Sequence, residues 1–183
     1  MVLAMAHEYF CIASGPSLTK KDVDLVRRWR FRSGNRRVIV TNRTYEIAQW
    51  ADILFAMDRK FWLEYRGEVS ASKFHGVRYT KNPTHLARDF PGDYGNSGAG
   101  AIELADALGA ERIFLLGYDG GVKNGKSHWH EPYAHDMNST AKVESKWCSQ
   151  FEATARRVKA EVVNVSRHSK IMCFPMADLE TVV

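Results

Sequence analysis

The stretch Arg112-Ile113-Phe114-Leu115-Leu116-Gly117-Tyr118-Asp119 decides the fold. An unbroken apolar run this short, closed by glycine and an acid, reads as a strand buried on both faces. Buried strands of that kind belong to parallel sheets, whose crossovers need helices between the strands. The rest of the chain alternates accordingly. Glu8–Ala13, Arg37–Thr41, Asp52–Met57, Phe74–Tyr79 and Glu161–Val165 are expected strands. Lys20–Arg30 places Val23, Val26 and Trp29 on one helical face, and Thr44–Trp50 and Lys60–Tyr65 read as short helices. Ser97–Leu108 is a small-residue-rich helix, and Asn138–Lys159 is expected to be the longest one. The expected fold is α/β: a Rossmann-like doubly wound, mostly parallel sheet with helices on both faces. Its ligand belongs outside the carboxyl ends of the strands, where the strand order reverses.

With 183 residues, 45% hydrophobic and 26% charged, the chain suits a single nucleotide-binding domain over 1–183. This composition excludes a disordered chain, a collagen-like repeat and a disulfide-stapled miniature scaffold. No apolar run is long enough to span a bilayer, and Met1–Ala6 makes a poor signal peptide. Three scattered cysteines, Cys11, Cys148 and Cys173, fit a reducing cytoplasm. The formal charge of +5 favours anionic ligands. Arg27, Arg28, Arg30, Arg32, Arg36 and Arg37 cluster around Trp29 and Phe31. That cluster reads either as a nucleic-acid patch or as the solvated end of a helix.

The strand ends carry the chemistry. The first is followed by Ser14-Gly15-Pro16-Ser17, where glycine admits close backbone approach and Ser17 is placed to cap the next helix. The second ends in Thr41-Asn42-Arg43, the third in Met57-Asp58-Arg59, and the strand above in Gly117-Tyr118-Asp119. Asn96-Ser97-Gly98 opens the small-residue helix, with Ser97 as its expected cap. Turn chemistry accounts for any one of these, but all of them fall on one edge of the sheet. Together they make a nucleotide pocket the leading expectation. A histidine-rich loop over 120–138, read as a lid, holds His128, His130, Tyr133 and His135 as candidate acid–base groups. No HExxH is present, the cysteines are remote, and Asp22-Val23-Asp24 suits a helix start, so no metal is assigned.

In that order, Ala13–Leu18, Thr41–Arg43, Asn96–Gly98 with the following AIELADALGA, and RIFLLGYD resemble the bacterial lipooligosaccharide sialyltransferases. They also resemble a wider group of motility-accessory proteins and the archaeal 6-hydroxymethylpterin pyrophosphokinases. The resemblance implies a Rossmann-like domain and a CMP-sugar or other nucleotide-sugar donor. It implies Gly15 and Ser17 near the donor phosphate, Asn42 at ribose or base, and Asp58 as a polar donor contact. Ser97 and Gly98 would line the cytidine side, with Gly117, Tyr118 and Asp119 bordering base and ribose. His135 falls near the family's general base, which works without a metal. The tyrosines that assist the leaving phosphate there are replaced by Gly120, Gly121 and Val122, leaving Tyr133 as the candidate substitute.

The leading functional expectation is therefore a nucleotide-dependent, sialyltransferase-like glycosyltransferase, with His135 as base and His128 or His130 serving the departing phosphate. Two alternatives stand beside it. One is an ATP-dependent diphosphotransferase acting on a small heterocycle, with magnesium held by Asp58 and Asp119. The other is a non-catalytic module for nucleotide or nucleic acid, the latter bound through Arg27–Arg37.

Overall fold

A computed structural model describes residues 7–82, 84–133, 138 and 140–183. Seven strands form one all-parallel sheet: β1 (Glu8–Ile12), β2 (Arg36–Thr41), β3 (Ile53–Phe55), β4 (Val77–Thr80), β5 (Arg88–Asp89), β6 (Arg112–Leu116) and β7 (Glu161–Asn164). Their spatial order is β5-β4-β3-β2-β1-β6-β7. The chain winds outward from β1 to β5, then returns across the sheet to β6 on the other side of β1. The fold is the α/β, Rossmann-like doubly wound architecture expected, and its switch point lies between β1 and β6.

Alternation along the strands builds two cores. In β1, Phe10 and Ile12 face one layer while Tyr9 and Cys11 face the other. On the first face lie α1 (Lys20–Phe31) and α2 (Arg59–Ala71). Val23, Val26 and Trp29 of α1 are buried at helical spacing, and Trp29 meets Phe10 edge-on at 4.8 Å between ring centroids. From α2, Phe61, Trp62, Tyr65 and Val69 fill the same layer. On the second face lie α3 (Ser97–Ala107) and α5 (Trp147–Arg157). Gly100 lets α3 approach the sheet closely, since a Cβ there would stand 2.5 Å from the Phe55 ring.

Several boundaries differ from expectation for local reasons. The long helix expected over Asn138–Lys159 is two helices, α4 (Ala141–Glu144) and α5. Between them Ser145 and Lys146 form a turn, in which the Lys146 amide donates to the Val143 carbonyl, three residues back. The helix expected over Thr44–Trp50 is a 3-10 turn over Asn42–Glu46, and α2 runs past Tyr65 to Ala71. The two-residue edge strand β5 carries no sequence period to reveal it. Thr19, not Ser17, caps α1 by accepting from the Asp22 amide, and Asn96, not Ser97, caps α3 through the Ala99 amide. Asp22 is buried and paired with Arg167, which also holds Glu180 and so ties the start of α1 to the C-terminal segment. Among the described residues, no helix is long and apolar enough to cross a membrane.

Candidate functional site

A cleft of about 570 Å³ opens at the carboxyl ends of β1, β2, β3 and β6, beside the switch point. That volume lies within the ~300–1,000 Å³ typical of small-molecule sites. Of the candidate nucleotide-binding residues, Gly15, Asn42, Asp58, Asn96, Ser97, Gly98, Gly117, Tyr118 and Asp119 border it. His128 and Tyr133 of the histidine-rich loop border it as well.

Its floor is made by two glycines that bring β1 and β6 together. The Gly15 amide donates to the Gly117 carbonyl at 2.9 Å. A Cβ on Gly15 would lie 2.4 Å from that same oxygen, and one on Gly117 would lie 2.5 Å from the Ala13 carbonyl. Gly117 also has φ +73°, in the left-handed region. Beneath this contact the Asp119 carboxylate is a structural staple. One oxygen accepts from the Ser17 amide and the other from the Ser17 hydroxyl, both at 2.7 Å. Burial pushes the Asp119 carboxyl up, and the two Ser17 hydrogen bonds pull it back. Asp119 is thus not a carboxylate presented free at the rim, and Ser17 lies beneath the cleft instead of facing it. Replacing Asp119 by alanine strands two buried donors and is expected to cost about 2–3 kcal/mol. Asp119→Asn keeps one acceptor and offers an amide to the Ser17 hydroxyl, so it is expected to cost under about 1 kcal/mol. Urea denaturation of the two variants checks this ordering.

Ser97 joins the ends of β2 and β3. Its hydroxyl accepts from the Met57 amide at 3.0 Å and donates to the Asn42 side-chain oxygen at 3.2 Å. Asn42 is held at φ +48°, a conformation that asparagine tolerates better than most residues. Asn96 spends its oxygen on capping α3 and donates its amide to Gln150 of α5 at 2.8 Å. Tyr118 is fully buried, gives its hydroxyl to the Gly98 carbonyl at 3.0 Å and packs its ring on Phe151. Asp58 immediately precedes α2; desolvation raises its carboxyl and Lys81 opposes that shift.

The histidine-rich loop folds onto the end of β1. The Trp129 amide donates to the Ser14 carbonyl at 3.0 Å, and the Ser14 hydroxyl meets His128 Nδ1 at 3.1 Å. His128 and His130 stack in parallel at 5.0 Å, with the Tyr133 ring edge-on to both. Desolvation, then the neighbouring His130, lowers His128 to about 4; desolvation, with Arg43 assisting, lowers His130 to about 4. Both are neutral imidazoles near pH 7.

Four candidates lie elsewhere. Pro16 and Ser17 do not border the cleft, because the turn they form is drawn under it by Asp119. Arg43 is turned away: its guanidinium pairs with Glu46, donates to the Glu131 carbonyl and sits over the Tyr65 ring. His130 is the inner member of the imidazole stack, buried, with Nδ1 beside the Glu131 carbonyl. His135 lies outside the described residues. The arginine cluster is also divided. Arg30 makes a paired contact with Asp52, Arg36 pairs with Glu8 and covers Trp29, and Arg37 bonds backbone carbonyls. All three lie at the opposite end of the sheet from the cleft, and Trp29 is core, so neither contributes to the site.

Sequence reasoning passed over Lys60, Trp147 and Asn138, which also border the cleft. Lys60 had a signal: α2 opens on Arg59 and Lys60 with no acid in its first turn, against the helix dipole. A cation kept there at a cost suits an anionic ligand. Trp147 and Asn138 had none, because the expected continuous helix hid both the break before Trp147 and the non-helical segment in which the Tyr133 backbone holds the Asn138 side chain. Among the described residues, no group of three or more His, Cys, Asp or Glu side chains converges as a metal site would require. Comparison with protein-family models, curated proteins and solved structures found no match to this chain.

Proposed function

We propose that this chain is a nucleotide-dependent transferase that takes a nucleotide-sugar donor, a CMP-sugar foremost, in the cleft at the switch point. One observation carries the reading: three strand ends and the start of α3 bring Gly15, Asn42, Gly117 and Ser97 to a single cleft that also holds Lys60 and a neutral histidine. The Lys60 ammonium supplies a mobile positive charge for a phosphate, and the Asn42–Ser97 pair offers polar edges to ribose or base. Apolar surface from Trp147, Phe151 and Ile171 on the other wall suits a flat heterocycle. His128 serves the departing phosphate, and His135, carried on the same loop, takes the acceptor proton. The magnesium-dependent alternative is less favoured, because the Asp119 carboxylate is buried and each of its oxygens already accepts from Ser17.

Isothermal titration against CMP, CDP, UDP, ADP and GDP tests the reading. A cytidine nucleotide is expected to bind with sub-millimolar Kd, and Lys60→Ala to weaken it about five- to tenfold, the loss of one charge-assisted contact. The absence of binding by all five at millimolar concentration would remove the proposal.

A further inference from the structure

Arg43 does not border the cleft, yet it holds a wall that does. Its Nε and Nη2 bond Glu46 in the same turn, which leaves Nη1 to donate to the Glu131 carbonyl at 3.2 Å. The guanidinium lies over the Tyr65 ring of α2, 5.6 Å from its centroid, and the Tyr133 ring meets that same ring edge-on at 6.1 Å. Arg43 and the histidine-rich loop therefore share one seat. Further ties run to Ser14, whose carbonyl accepts the Trp129 amide and whose hydroxyl lies 3.1 Å from His128 Nδ1. Ser127, His128 and Tyr133 border the cleft, so the seated segment is one of its walls.

The seat suits polar groups poorly. Among the described residues, five buried side-chain nitrogen or oxygen atoms lack a hydrogen-bond partner. Three of them, Trp129 Nε1, His130 Nε2 and the Tyr133 hydroxyl, fall within five consecutive residues of the loop. The other two belong to Thr44 and Tyr45, which directly follow Arg43. All five thus flank the Arg43–Glu131 bond along the chain. A polar atom buried without a partner has lost its bonds to water, and lifting the segment restores them. That gain pushes the loop off its seat at the place where Arg43 ties it down. Segments balanced in this way open locally, well before the sheet around them.

We propose that Arg43 is the latch of a lid: residues 127–133 lift from Ser14 and Tyr65 when the Arg43–Glu131 bond breaks, and reseat when a nucleotide in the cleft engages them. Arg43 is then a positioning residue, acting through the loop and not by touching a ligand. The guanidinium fork fits it for this, since two nitrogens hold Glu46 and the third holds the loop, a division that a single ammonium cannot make. A ligand favours the seated state only through contacts it makes there, and Ser127, His128 and Tyr133 are the loop residues placed to make them. The reseating step rests on the nucleotide reading; the latch does not.

Hydrogen exchange of single amides in the full chain, followed by nuclear magnetic resonance and corrected for intrinsic rates, tests the proposal. The Trp129 amide, bonded to Ser14, reports the seat, and the amide of fully buried Cys11 in β1 reports global unfolding. In the wild-type protein Trp129 is expected to exchange about a hundredfold faster than Cys11. Arg43→Ala should speed Trp129 about tenfold further, the loss of one charge-assisted contact, and Arg43→Lys about as much. Val162→Ala, which loosens the core on the opposite face of the sheet, should speed Cys11 and leave Trp129 unchanged. Saturating CMP should slow Trp129 about tenfold in the wild-type protein. Equal wild-type exchange at Trp129 and Cys11 overturns the lid, and so does a Trp129 amide that follows Cys11 in Val162→Ala. A Trp129 rate untouched by either Arg43 substitution overturns the latch. CMP that binds without slowing Trp129 overturns the reseating. Failure of every nucleotide to bind strikes the earlier functional reading alone, because the variants still decide the latch.

Discussion

Acidification from pH 7 to about pH 4 is expected to unfold this protein far more readily than its carboxylates alone would cause, and His128 and His130 are the reason. Each has its folded pKa depressed from 6.5 to about 4, because burial disfavours the charged ring, with His130 adding to the shift in His128 and Arg43 to both. A depressed folded value means that the unfolded chain binds the proton first. Stability is therefore complete above about pH 6.5 and is lost as pH falls through 4. The loss approaches ~2–3 kcal/mol for each histidine, with the smaller figure for His128, which keeps contact with solvent. Two cations stacked at 5.0 Å would also repel, so the second protonation is the more costly. Asp119 and Asp58 work the other way at the low end, because their raised carboxyls protonate sooner in the folded protein. Thermal melts at pH 7.0, 6.0, 5.0 and 4.5 should show Tm falling steeply across this window. In a His128→Gln, His130→Gln double variant the slope should flatten. Equal slopes in the two proteins would mean that the imidazoles are not buried as described.

Gly117→Ala should be the most damaging single substitution in the cleft, and it should cost stability and binding together. The residue sits at φ +73°, where a Cβ costs an ordinary residue ~1–2 kcal/mol. The new methyl would meet the Ala13 carbonyl at 2.5 Å, and backbone of a central strand gives way only by distorting the pairing of β1 with β6. Overpacking of that kind adds ~1–3 kcal/mol. The combined ~2–5 kcal/mol corresponds to a fall of roughly 5–15 °C in Tm for a domain of this size. Because Ala13, Gly15 and Gly117 form the cleft floor, the displaced strands should reduce nucleotide affinity at least tenfold under conditions where the variant remains folded. Gly67→Ala, in α2 with open space around it, is the control and should be neutral or slightly stabilising. A Gly117→Ala variant with wild-type Tm and affinity would show that the two strands do not close on each other as tightly as these distances require.

Much of the cleft was legible because parallel topology does the gathering. Once RIFLLGYD and its neighbours are read as parallel strands, all their carboxyl ends share one edge. Gly15, Asn42 and Gly117 then converge whatever the details of the helices, and Ser97 joins them as the first residue of α3. What each side chain does there was not legible. Asp119 reads from sequence as an acid at the rim, yet Ser17, 102 residues away, takes both its oxygens. Arg43 reads as a phosphate ligand, yet Glu46 and Glu131 turn it outward. Ser14, an unremarked residue beside the glycine, becomes the partner of His128 only when a loop 114 residues later folds over it.

By itself the sequence determined the α/β class, the parallel winding, the edge on which the cleft opens and most of the residues along it. It could do so because apolar periodicity and strand-end composition are local properties, and a parallel crossover has one geometry. The tertiary structure alone decided which polar groups are consumed by each other and which remain open to the cleft. A hydrogen bond between residues a hundred positions apart leaves no trace in the pattern of either segment, and only the folded chain brings its two ends within reach.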